Sequence, residues 1–183
     1  MSSLVATTDA IHILQVSAIT ALLLISGIAW GFSIFVLPLI RLPSNPSRSA
    51  LDQFEKLVSR GGVTLQPASI ICALVLAGAA TLSWQSSDAE VATGPLSWRN
   101  SALACFVLLQ VGWWEGVLIT PLSAAIVDMK HSLPPKESWL RDREQLQFHN
   151  SLKLWNAYHI IRAALPLVAG IILLRAYIVE SWT

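Results

Sequence analysis

The residues of this chain best suited to chemistry stand at the head of its last apolar run. Trp155, Asn156, His159 and Arg162 begin a segment that stays apolar to Val179. About 20 residues suffice to cross a bilayer. Ionisable groups inside such a span are costly and by default mark a functional site. Trp155, His159, Arg162 and Pro166 follow i, i+4, i+7 and i+11 spacing, which puts them on one face of a helix. An imidazole there could take a proton from a weakly acidic carbon or phenol. A neighbouring guanidinium could hold the oxyanion that results. A carbanion of that kind can react with dioxygen directly, because it supplies the electrons a flavin would otherwise carry.

Glu115 is the natural partner of this stripe. It sits in the third apolar run among Gly112, Trp113, Trp114 and Gly116, 12 residues before Val127, while Arg162 lies nine residues after Lys153. At about 1.5 Å rise per residue the two reach a similar depth from the same side, so an ion pair is predicted. The first run adds Ser26, Trp30 and Ser33 on one face. Indole rings stack on flat aromatic ligands and can donate through their N–H groups. Trp30, Ser33, Trp113, Trp114, Trp155 and Asn156 are therefore expected to line a one-sided pocket, while the outer parts of the second and fourth runs look plain. The competing account for Trp30, Trp98, Trp139, Trp155 and Trp182 is an interfacial belt.

Other chemistries fit poorly. His12 opens the first run and His159 the last, on opposite sides of a layer about 30 Å thick, so they cannot clamp one haem. His131, His149 and His159 lack a metal-ligand spacing, and no metal is expected. There is no glycine-rich nucleotide fingerprint and no nucleophile-elbow sequence. Cys72 and Cys105 lie inside apolar runs without a Cys-x-x-Cys motif, and are expected to be small buried thiols.

These residues must be positioned by membrane helices. The 183-residue chain is 54% hydrophobic and 13% charged, with mean hydropathy +0.59, against about 25% charged in soluble domains. The net charge of +1 gives no sign of a nucleic-acid partner. Four runs, 11–40, 67–84, 101–127 and 155–179, predict an all-α, four-helix transmembrane bundle forming a single integral membrane domain. The first run is too long for a cleavable signal and no Lys or Arg precedes it, so it is expected to be retained. Nine Lys and Arg in the two large loops stand against Arg99 and Arg175 on the other side. That puts both loops in the cytoplasm and suggests the endoplasmic reticulum or a related endomembrane.

In the first loop, Pro43 and Pro46 should break the helix and Ser47 or Ser49 cap a new one. Leu51, Phe54, Leu57 and Val58 recur at helical spacing before Gly61-Gly62. The expectation is a short amphipathic helix ending at those glycines, either on the membrane surface or packed on its neighbours. A turn is expected at Gly94-Pro95, and another at Pro134-Pro135. Trp30 and Pro38 lie eight apart, as do Trp113 and Pro121. Two residues are poor evidence of duplication, and chance is the better account.

Trp30-Gly31 before Pro38, and above all Trp155-Asn156-Ala157-Tyr158-His159-Ile160-Ile161-Arg162, resemble the anthrone oxygenases of fungal polyketide pathways. These belong to a wider group of small four-helix membrane proteins. The resemblance covers nearly the whole chain, although its motifs are short. It implies oxidation of an anthrone to an anthraquinone with dioxygen as co-substrate, no cofactor, and an aromatic polyketide as partner within the lipid bilayer. Carried over, His159 is the base, Arg162 the anion holder, and Asn156 and Trp155 position the ring. Glu115 sets the charge of Arg162 or relays the proton. The roles themselves come from the chemistry above.

A non-catalytic scaffold or carrier for a hydrophobic intermediate is the competing reading, in which these polar groups only satisfy one another. A transporter is a third, limited by the few spans unless the protein pairs as a homo-oligomer.

Overall fold

The computed structural model describes residues 2–85, 97–134 and 139–180, and within them the side chains of residues 8–178. The elements are α1 (Ser2–Gly31), a π-helical turn (Phe32–Val36), α2 (Leu37–Ile40), α3 (Ser47–Gln85), α4 (Trp98–Trp114), a second π-helical turn (Glu115–Ile119), α5 (Thr120–Ser132) and α6 (Asp142–Glu180). Among the described residues there is no strand. Among the described residues four helical stretches are long and apolar enough to cross a membrane: Thr8–Ile40, Ser47–Gln85, Trp98–Ser132 and Asp142–Ile178. Both α3 and α6 have 39 residues, or about 58 Å at 1.5 Å per residue. Each therefore outreaches a hydrocarbon layer of about 30 Å.

Both π turns lie just upstream of a proline, although Pro67 and Pro166 sit within α3 and α6 without one. Proline cannot donate to the helical ladder, and its ring collides with the carbonyl four residues earlier. Upstream of Pro38 the helix widens, so that the Leu37 N–H reaches the Phe32 carbonyl. Upstream of Pro121 the Thr120 N–H reaches the Glu115 carbonyl in the same way. Each wide turn begins two residues after a tryptophan, Trp30 or Trp113, and ends two residues before the proline. The two-residue echo in the sequence thus carries the same backbone device twice, one that is common at functional sites.

The first loop differs from expectation. The chain does break after Ile40, and Asn45 Nδ2 donates to the Ile40 carbonyl at 3.3 Å and to Gln53 Oε1 at 3.2 Å. The helix beginning at Ser47 does not stop at Gly61-Gly62; it continues unbroken through Pro67 to Gln85. Leu51 and Phe54 are fully buried, so this stretch packs on its neighbours as the first part of α3 and is not a separate element. Burial of its apolar face outweighs the roughly 1 kcal/mol cost of each internal glycine. The expected Gly94-Pro95 turn lies outside the described residues, as do Pro135 and Trp182.

The chain divides into two compact units. The first comprises Met1–Ser26, Pro67–Val111 and Ala164–Thr183. Its interior includes Ile11, packed against Leu82 and Tyr177. Gln15 is fully buried there; its Nε2 donates to Ser101 Oγ at 2.7 Å, and Tyr177 Oη donates to its Oε1 at 3.1 Å. This polar network was not anticipated, and Tyr177 shows that the last helix is not plain beyond its polar head.

The second unit comprises Gly27–Gln66 and Gly112–Ala163. Leu37, Phe54, Ile126, Phe148, Leu152 and Trp155 belong to its core. At its edge Lys130 Nζ bridges Asp52 at 2.6 Å and Glu55 at 2.7 Å. Arg48 Nη2 donates to the carbonyls of Leu133 and Pro134 at 3.2 and 2.8 Å. Every candidate catalytic residue lies in this unit. Many side chains of the four helices are apolar and exposed, Leu24, Phe35, Leu74, Phe106 and Ile171 among them, as suits contact with lipid.

Candidate functional site

The α6 stripe is buried at every position: Trp155, His159, Arg162 and Pro166. The His159 ring lies flat on the Trp155 indole, with centroids 4.7 Å apart and planes 10° from parallel. Phe32, the first residue of the first π turn, stacks on His159 at 6.4 Å and 30°. Trp155 is itself held on two sides. Its Nε1 donates to Ser123 Oγ at 2.8 Å, that hydroxyl donates to the Ile119 carbonyl at 2.8 Å, and Phe54 meets the indole edge-on at 5.2 Å.

The imidazole is oriented by a backbone contact, His159 Nε2 to the Ala29 carbonyl at 3.1 Å. A carbonyl oxygen can only accept, so Nε2 carries the proton. In neutral His159 the free lone pair is then on Nδ1. That nitrogen is buried and has no hydrogen-bond partner among the described residues.

Arg162 Nη2 stands 3.0 Å from Glu115 Oε2, forming the predicted pair, with side-chain exposures of 8% and 15%. The contact is within ion-pair distance, yet Oε2 makes no hydrogen bond in this geometry, and Arg162 Nε is also buried without a partner. Low dielectric strengthens such a pair but also raises the cost of every unmet donor and acceptor. Among the described residues, Trp30 Nε1, Ser33 Oγ and Asn156 Oδ1 are likewise buried and unmet.

His159, Arg162, Glu115 and Trp155 line one small cavity, walled also by Phe32, Leu57, Gly61 and Gly62. Its volume is about 30 Å³, room for a water or a dioxygen but not for a ring. Gly61 and Gly62 have no side chain to fill it. Phe32 and Leu57 also line a second, far larger cavity, a groove of about 720 Å³ between the end of the first helix and the start of α3. That volume is in the range of small-molecule sites.

The structure thus brings His159, Arg162, Glu115 and Trp155 together. Trp30, Ser33 and Asn156 belong to the same unit but do not line the small cavity. Trp114 donates from Nε1 to the Tyr158 carbonyl at 3.0 Å and packs edge-on to the Tyr158 ring, a bracing contact. Trp113 is 59% exposed and does not line either cavity. Its expected place in the pocket is not found: the side chain is turned outward, with its ring 6.3 Å from that of Trp114.

Sequence reasoning missed Ala29, Phe32, Ser123 and the glycine pair. A backbone acceptor has no signature in sequence. Phe32 could have been suspected from its position at the Trp-Gly-Phe step ahead of Pro38. Among the described residues no group of three or more His, Cys, Asp or Glu could hold a metal ion.

Comparison with known proteins returns no matching family model, curated protein or solved structure.

Proposed function

We propose that this chain is a membrane oxygenase that converts an anthrone, a tricyclic phenolic ketone with an acidic ring methylene, to the anthraquinone with dioxygen and without a resident cofactor. One observation carries the reading. His159, Arg162 and Glu115 line a single cavity, and His159 Nδ1 and Arg162 Nε are buried there without a hydrogen-bond partner among the described residues. A network whose only task was to tie helices together would satisfy those atoms, because each unmet one costs about 1–3 kcal/mol.

In this mechanism His159 Nδ1 takes a proton from the ring methylene. Arg162, charge-balanced by Glu115, stabilises the enolate oxygen. The carbanion passes an electron to dioxygen, and the two radicals join to form a carbon–oxygen bond. The imidazolium returns its proton to give the hydroperoxide. Loss of the remaining carbon-bound hydrogen as a proton, with cleavage of the O–O bond, leaves the second carbonyl and water. The ring is held in the large groove, with Phe32 as the partition that must swing aside for the methylene to reach Nδ1. The small cavity is the compartment for dioxygen and then water.

The small cavity's size favours one alternative. A carrier would hold a hydrophobic intermediate in the groove and leave the His159 cavity to a structural water. Oxygen uptake and quinone absorbance in membranes given several anthrones distinguish the two. Rates above those of membranes without the protein support the oxygenase; equal rates across all anthrones leave only the carrier.

A further inference from the structure

The large groove has an apolar body and a cationic rim. Val36, Leu39, Ile40 and Leu57 line its wall, and Lys56 and Arg60 stand on it one helical turn apart on α3. The carboxylates nearest them in sequence, Asp52 and Glu55, are both engaged by Lys130 at 2.6 and 2.7 Å. Among the described residues neither Lys56 nor Arg60 makes an ion pair. Asp52, one turn before Lys56, feels its charge, but two cations with no carboxylate in contact on the lip of an apolar groove call for an anion joined to an apolar body.

Arg60 immediately precedes Gly61, which walls the His159 cavity. Groove and cavity also share Phe32 and Leu57. A lipid headgroup would have no use for that continuity, whereas a substrate needs it.

We propose, resting on the oxygenase reading, that Lys56 and Arg60 form an anion-reading subsite. It selects polycyclic aromatics that carry a carboxylate or phenolate on the edge remote from the reacting carbon. The apolar wall takes the ring faces, the two cations take the charged edge, and the far edge is thereby aimed at Phe32 and His159. The specificity is for a charged polycycle over its neutral counterpart.

The test uses the full-length chain in nanodiscs of uncharged phosphatidylcholine, with empty discs as the partition control. The probes are anthraquinone-2-carboxylate and neutral 2-(hydroxymethyl)anthraquinone, products that do not turn over. The carboxylate is expected to bind about tenfold more tightly. In K56Q/R60Q that preference disappears while the neutral probe's Kd holds. In K56E/R60E the preference passes to a cationic probe, 2-(aminomethyl)anthraquinone, a gain that a misfolded variant cannot produce. Equal affinities in the wild type overturn the proposal, as does a preference that survives K56Q/R60Q. Loss of carboxylate binding when phosphatidylserine is added to the discs overturns it too, and assigns the groove to lipid. Because the probes are already oxidised, failure of the oxygenase reading shows only in the turnover assay, and failure of the subsite only in the Kd values.

Discussion

Arg162 Nη2 lies 3.0 Å from Glu115 Oε2, and the carboxylate that holds this guanidinium is itself the first residue of a π-helical turn. The pair joins the two ends of the same problem. The widened turn that Glu115 opens lies just before Pro121, and the pair commits that turn to α6.

The first consequence concerns stability. Removing one member of a buried pair strands the other charge and costs about 3–5 kcal/mol, whereas removing both can be nearly neutral. Glu115→Gln alone should therefore lower the thermal midpoint in detergent far more than Glu115→Gln combined with Arg162→Gln. A double variant as unstable as the single one, or less stable, would refute the pairing energetics.

The second concerns His159. His159→Gln can keep a donor to the Ala29 carbonyl but cannot act as a base. It should hold a near-normal midpoint while anthrone oxidation falls about 10²–10⁴-fold, the usual worth of a positioned base. Oxidation at the wild-type rate in this variant would remove His159 from the chemistry.

The third concerns the buried network in the other unit. Gln15 serves both Ser101 and Tyr177. Gln15→Leu leaves a hydroxyl on each side without its partner and should cost about 1–3 kcal/mol per stranded group. Adding Ser101→Ala and Tyr177→Phe should recover much of the loss. Measured midpoints of the single and triple variants check this, and a triple variant no more stable than the single one would show that the network is not what holds these helices.

Much of the molecule was legible in advance. Runs of about 20 apolar residues leave a chain in lipid no option but helices, since every backbone group must be satisfied within the segment. The constant rise of a helix makes depth countable, which is why Glu115 and Arg162 could be matched from residue numbers alone. The i, i+4, i+7, i+11 stripe of α6 is buried along its whole length for the same reason: helical periodicity is a local property.

Other features were decided only by the folded chain. Trp113 and Trp114 are neighbours in sequence, yet one is exposed and the other braces α6 through the Tyr158 carbonyl. Which of them faced inward depended on the packing of the helix around Pro121. The end of the surface-loop helix was misplaced at Gly61-Gly62 because local propensity argues for a stop there, while burial of Leu51 and Phe54 carries the helix through.

The tautomer of His159 was beyond any reading of side-chain types, because its partner is the backbone of Ala29. Sequence by itself determined helices long and apolar enough to cross a membrane, with a His, an Arg and a Glu at matching depth. Tertiary structure decided which imidazole nitrogen is free, that the space beside it admits only a small molecule, and that a cation-rimmed groove adjoins it. The physical reason is that the former follow from periodicity and solvation along one helix, and the latter from contacts between residues 130 positions apart.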